Sequence, residues 1–117
     1  VGIGRLEQDI KLGEYAFTLQ TLKAKEMKEV VKCVGFKDGT DQIYEQRTQT
    51  LARALIKINN YEVKMVLGSD RIEDVSAFIE ELEELVVAQL FDKYVEMTQM
   101  MKKTLMSPEI LMEDLKK

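Results

Sequence analysis

Histidine is absent from this 117-residue chain, and that absence removes more chemistry than any other feature of the composition. The imidazole is the side chain most used for proton transfer near neutral pH, and it is the commonest metal ligand. Ser-His-Asp and Cys-His nucleophile systems therefore have no base within the chain. A single cysteine, Cys33, excludes an intramolecular disulfide framework and suits a reducing compartment. A zinc site would have only Cys33 and carboxylates to draw on, which is poor zinc chemistry. The arginines are few and scattered, at Arg5, Arg47, Arg53 and Arg71, so no clustered basic surface for a phosphate backbone is expected. No apolar run approaches the ~20 residues that span a bilayer, and no signal-peptide pattern opens the chain. Val1 stands where an initiator methionine is expected, which reads as a processed or trimmed chain.

What is present suits a globular fold. Hydrophobic residues make up 45% and charged residues 32%, enough apolar material for a core in one compact domain over 1–117. Charge is unevenly placed. Residues 1–67 carry 11 basic and 9 acidic side chains, whereas 68–117 carry 6 basic and 12 acidic, giving +2 and −6 and the overall −4.

The spacing predicts an α+β, mostly helical architecture. Tyr15, Phe17 and Leu19 alternate with Ala16, Thr18 and Gln20, the period-two mark of a half-buried strand. Residues 4–22 are accordingly read as a β-hairpin turning at Leu12–Tyr15, with Tyr15, Phe17 and Leu19 as its packing face. A lone hairpin is marginal in water, so this one is expected to lie on helices or on another chain's sheet edge. Residues 24–56 read as a helical pair. In its first member Met27, Val30, Val31 and Val34 face inward, and Gly35 suits a left-handed cap. Thr40 is expected to cap the second member, which continues through Ile43, Tyr44, Leu51, Ala54 and Leu55, with thin burial over the polar run 45–50. A short second hairpin is expected over 57–66, turning at Asn59-Asn60, because asparagine tolerates positive φ.

The most telling stretch is 70–106, a long helix expected to be capped by Ser69. At 100° per residue, Ile72, Val75, Ile79, Leu82, Val86, Leu90, Tyr94, Met97, Met101 and Leu105 share one face. Ala88, Phe91, Val95 and Met106 fall nearly opposite. Glu83 interrupts the stripe, which predicts a break or bend near Leu82–Glu84. Ser107-Pro108 then restarts a short terminal helix over 108–117.

Candidate chemistry is sparse. Glu80, Glu81, Glu83 and Glu84 lack the histidine partners of a carboxylate-bridged metal site and read as a solvated acidic face. Gly2-Ile3-Gly4 is too short for a phosphate-binding fingerprint, and Asp38-Gly39-Thr40-Asp41 lacks calcium-loop spacing. Cys33 reads as a small buried apolar residue rather than a reactive thiol. No catalytic, cofactor-binding or metal-binding residue is expected, and no cofactor or small-molecule substrate. The remaining candidate is the doubly apolar helix. A helix greasy on two faces packs between two neighbours, and thioethers repack readily against irregular partners. Leu90, Phe91, Tyr94, Val95, Met97, Met100 and Met101 are therefore expected to carry a partner-binding surface.

Three segments together carry a resemblance. Glu14 to Glu26 is a strand running into a helix through Leu19-Gln20-Thr21-Leu22-Lys23-Ala24-Lys25-Glu26. Leu51 to Asn59 is a helix end entering a short strand and turn, and Leu82 to Met97 is an acidic amphipathic helix containing Leu90-Phe91-Asp92-Lys93-Tyr94. In this order they resemble the small tail-assembly and baseplate proteins of tailed bacteriophages, including the T-even baseplate hub type and the tail-assembly chaperones. The resemblance spans about residues 12–97, and Asn59-Asn60 stands where that family commonly has Asp-Gly. It implies a non-enzymatic protein that associates with other phage tail or baseplate proteins, as a virion component or as a chaperone in the host cytoplasm. It carries no catalytic residues over. The alternative is a small helical regulatory adaptor that dimerises through its C-terminal helix; either way homo-oligomers are possible, and neither nucleic acid nor a membrane is an expected partner.

Overall fold

Strand β1 (Glu7–Leu12) and strand β2 (Tyr15–Gln20) pair antiparallel through a two-residue turn at Gly13-Glu14, in a computed structural model that describes residues 5–105. The chain then leaves the sheet for helices α1 (Ala24–Val34) and α2 (Gly39–Ala54), and returns as β3 (Leu55–Ile58) and β4 (Tyr61–Glu62). Helices α3 (Val63–Leu67), α4 (Ile72–Glu80) and α5 (Glu84–Leu105) complete it. Among the described residues the sheet is four-stranded, antiparallel throughout, in the order β1-β2-β3-β4. The fold is thus mixed α+β, with an N-terminal hairpin, a short second hairpin and a long C-terminal helix.

Strand alternation divides the sheet into unlike faces. Ile10, Phe17 and Ile58 lie in one cross-strand row, and Leu19 faces Leu55 beside it; all are buried. They join Leu51, Ala54, Val63, Val75, Ile79, Leu90, Tyr94 and Met97 in one core. The opposite face carries Glu7, Asp9, Lys11, Lys57 and Glu62, all exposed. Thr18 is buried in the middle of that polar face, where its hydroxyl donates to Asp9 Oδ1 at 2.7 Å. Tyr15 departs from expectation. It pairs with Leu12 at the end of the hairpin, beyond the helical layer, and stays 57% exposed with its ring 6.3 Å from that of Phe17.

Local signals explain most boundaries. Glu26 accepts the Lys23 backbone amide at 2.8 Å and forms an ion pair with Arg5 at 2.8 Å, fastening the start of α1 to the hairpin. Helix α1 packs chiefly on α2, burying Val30 and Val34. A helix with a single neighbour buries a narrow stripe, so Val31 and Cys33 are exposed, against the expectation for both. Gly35 is right-handed rather than a left-handed cap; the reversal comes at Gly39, with φ +58°. The cap of α2 is Asp38, in extended conformation, and Thr40 falls inside the first turn. Burial in the middle of α2 is deeper than its polar composition suggests, since Thr48 and Thr50 are enclosed.

Asn59 and Asn60 both adopt left-handed φ, 51° and 69°, the geometry of a hairpin turn whose twist matches the flanking strands. The second hairpin is shorter than the expected 57–66. After Glu62 the chain coils into α3, which buries Val63 and ends at left-handed Gly68, whose amide donates to Lys64 O. Ser69 acts from upstream of α4. Its hydroxyl accepts the Arg71 amide at 3.2 Å and donates to Asp74, while Arg71 holds the cap position. The long helical stretch is interrupted at 81–83, where Glu81 and Leu82 amides close tight turns onto Phe78 and Ile79. Met106 and the expected terminal helix over 108–117 lie outside the described residues.

Candidate docking surface

Helix α5 is about 33 Å long, at ~1.5 Å per residue, and its two apolar faces meet different fates. Leu90 and Met97 are wholly enclosed and Tyr94 nearly so, packed in the core with Ile79. Their place on the stripe shared with Val75 and Ile79 puts them under the sheet and α2, so the expectation that they lie on a partner-binding surface is corrected. Phe91, Val95 and Met101 are half-buried, and Met100 is 54% exposed. Leu105 is exposed at the end of the helix, on the side of Phe91 and Met101, whereas Met100 lies about half a turn from Phe91.

Met101 and Leu105 border a groove of about 320 Å³ between α5 and the β2–α1 junction. Thr21 and Leu22 form one wall; Tyr94, Thr98, Met101, Lys102 and Leu105 form the other. Thr98 satisfies its own hydroxyl on the Val95 carbonyl at 2.7 Å, so it offers mainly its methyl group. The Tyr94 ring stacks on Phe91 with centroids 6.3 Å apart and planes 27° from parallel. Burial pushes the Tyr94 phenol above its ordinary value; a backbone hydrogen bond at Leu22 opposes this, and the charge of Glu26 adds to it. The phenol is held neutral, and the groove presents apolar surface with few polar groups.

Two further clefts are lined in large part by charged side chains, some of them paired. At the α4–α5 break, a cleft of about 310 Å³ has Tyr44, Leu82 and Val87 among its walls. There the Arg47 guanidinium lies 5.6 Å from the Tyr44 ring centre and 3.8 Å from Glu84. A larger cleft of about 600 Å³ lies beside Arg53. The Arg53 side chain is 7% exposed; its Nη1 donates to Gln49 O and Oε1, both at 2.9 Å, and its Nε to Glu29 at 3.3 Å. Among the described residues no buried side-chain polar atom lacks a hydrogen-bond partner, and no group of three acidic or cysteine side chains is gathered to hold a metal. Glu80, Glu81, Glu83 and Glu84 are all exposed.

Other exposed apolar side chains were not singled out by sequence spacing. Phe36 is fully exposed in the α1–α2 loop, and Tyr61, Met65 and Val66 are exposed on β4 and α3. The flanking Gly35 and Lys37 mark Phe36 as a loop aromatic; Met65 and Val66 carry no such signal, because their short apolar run fits a strand equally well.

Among the described residues no helix is long and apolar enough to cross a membrane. No family model, curated protein or solved structure matches the chain.

Proposed function

We propose that this chain is a non-enzymatic protein of phage tail or baseplate assembly, acting by protein–protein association as a baseplate component or as a tail-assembly chaperone. The observation that carries this reading is the apolar surface α5 leaves open: Met101 and Leu105 line the groove beside Leu22, Phe91 and Val95 are half-buried, and Met100 is exposed on a separate side of the helix. Each large apolar side chain buried there by a partner would contribute roughly 1.5–3 kcal/mol. Its phage setting rests on the strand-to-helix segment Glu14–Glu26, the Leu51–Asn59 segment and the acidic helix Leu82–Met97. The partners would be other tail or baseplate proteins, met in the host cytoplasm during assembly or retained in the virion.

The test uses a tagged chain expressed together with tail-tube and baseplate proteins of the phage that encodes it. Copurification of identified tail proteins is expected, with Met100→Glu combined with Leu105→Glu abolishing it while leaving the helical circular dichroism unchanged. Copurification that survives this double substitution overturns the surface assignment. Failure of the unaltered chain to retain any tail protein overturns the function.

A further inference from the structure

Strand β1 presents one edge to β2, and its other edge has no partner among the described residues. The Thr21 amide donates to Leu6 O at 2.9 Å, which makes Leu6 and Thr21 a hydrogen-bonded pair of the antiparallel ladder. Such pairs recur at every second residue, so Gln8, Ile10 and Leu12 also turn their backbone groups toward β2. Glu7, Asp9 and Lys11 therefore aim their amides and carbonyls outward, and all are exposed. Lys11 has no ion pair among the described residues.

These outward residues alternate in charge in a way that permits one self-pairing. Consider a second copy of β1 laid antiparallel along this edge, with the polar faces of both sheets on one side. Centring the pair on Asp9 sets two aspartates opposite each other, between two Glu7–Lys11 pairs; centring it on Gln8 sets Glu7 against Asp9 twice. A centre at Lys11 opposes two lysines. Centring it on Ile10 places Asp9 opposite Lys11 of the second copy, and Lys11 opposite its Asp9, with no like charges facing. All of these registers pair the residues whose amides and carbonyls point outward, so the charges alone distinguish them.

We propose that a second copy of this chain docks on the β1 edge in the register centred on Ile10, joining the two sheets into one. Of these registers only the one centred on Ile10 opposes no like charges, and the like-charge contacts in the others disfavour slippage into open-ended aggregation. This interface is separate from the α5 flank, so substitutions at Asp9 and Lys11 leave the proposed tail-protein surface untouched.

Sedimentation equilibrium of the full chain tests this. The unaltered protein is expected to dimerise. Asp9→Lys alone, or Lys11→Asp alone, should weaken the dimer about ten- to thirtyfold, since two cross-strand pairs each worth up to ~1 kcal/mol become repulsive. An equimolar mixture of the two single variants should restore it as a heterodimer, and the double exchange Asp9→Lys with Lys11→Asp should restore a homodimer. A monomeric parent protein, or a dimer indifferent to these charges, overturns the proposal. If Asp9→Lys loses its fold along with its Thr18 hydrogen bond, Lys11→Asp decides alone: an unweakened dimer overturns the register.

Discussion

Asn59 and Ala16 hold each other by two hydrogen bonds: the Asn59 amide donates to Ala16 O at 2.6 Å, and the Ala16 amide donates to Asn59 Oδ1 at 2.8 Å. One residue thus turns the second hairpin and ties it to the first. Asn59→Gly keeps the left-handed φ and removes only the side-chain acceptor, whereas Asn59→Ala loses both. Urea unfolding should show a cost of about 1 kcal/mol for the glycine variant and about 2–3 kcal/mol for the alanine variant. Equal costs would mean that the positive φ contributes nothing.

Met97 and Met100 sit three residues apart on α5 and should behave as opposites. Met97→Ala empties a fully enclosed site and is expected to cost 2–5 kcal/mol. Met100→Ala removes surface that water already reaches and should stay within about 0.5 kcal/mol. Chemical denaturation of both variants checks the division of the helix into core and open flank.

Arg53 is expected to resist conservative replacement. Its guanidinium reaches Gln49 and Glu29 from a nearly enclosed position, a fork that an ammonium does not reproduce. Arg53→Lys should lose about 1–3 kcal/mol of stability, a cost close to that of Arg53→Met, as measured by thermal and urea unfolding.

Tyr94 gives the protein an alkaline limit. Its phenol is raised in the folded state above the ordinary 10.0, chiefly by burial. The unfolded chain therefore releases this proton first. The contribution is intact below pH 10 and is lost as pH climbs from there through the folded value. The unfolding free energy of the parent minus that of Tyr94→Phe should fall between pH 9 and pH 11, as the parent loses this contribution and the variant does not.

Much of the architecture was legible in the sequence because it depends on local rules. Period-two alternation marked β2, tandem asparagines marked the second turn, and Glu83 in an apolar stripe marked the interruption between α4 and α5. The misplaced residues depend on how far a neighbouring layer extends. Tyr15 continues the alternation of Phe17 and Leu19 but lies past the helices. Val31 and Cys33 look inward only if α1 has more than one neighbour. Thr48 and Thr50 are polar by composition, yet lie where α2 meets the core. The candidate surface divides in the same way: periodicity located both apolar faces of α5, while the choice of which face is covered belongs to the tertiary fold.

Between β2 and its neighbour β3 the chain inserts the whole α1–α2 hairpin, so Phe17 and Ile58 meet only after a long excursion. Closing such a loop costs entropy before any strand contact repays it. Packing of α1 on α2 shortens the effective excursion and delivers the Arg53 carbonyl to Gln20 Nε2, at 3.2 Å, beside the first strand residue to be joined. The helical pair thereby serves as a folded spacer, and weakening its Val30 and Val34 contacts would retard the sheet's completion as well as loosening the helices.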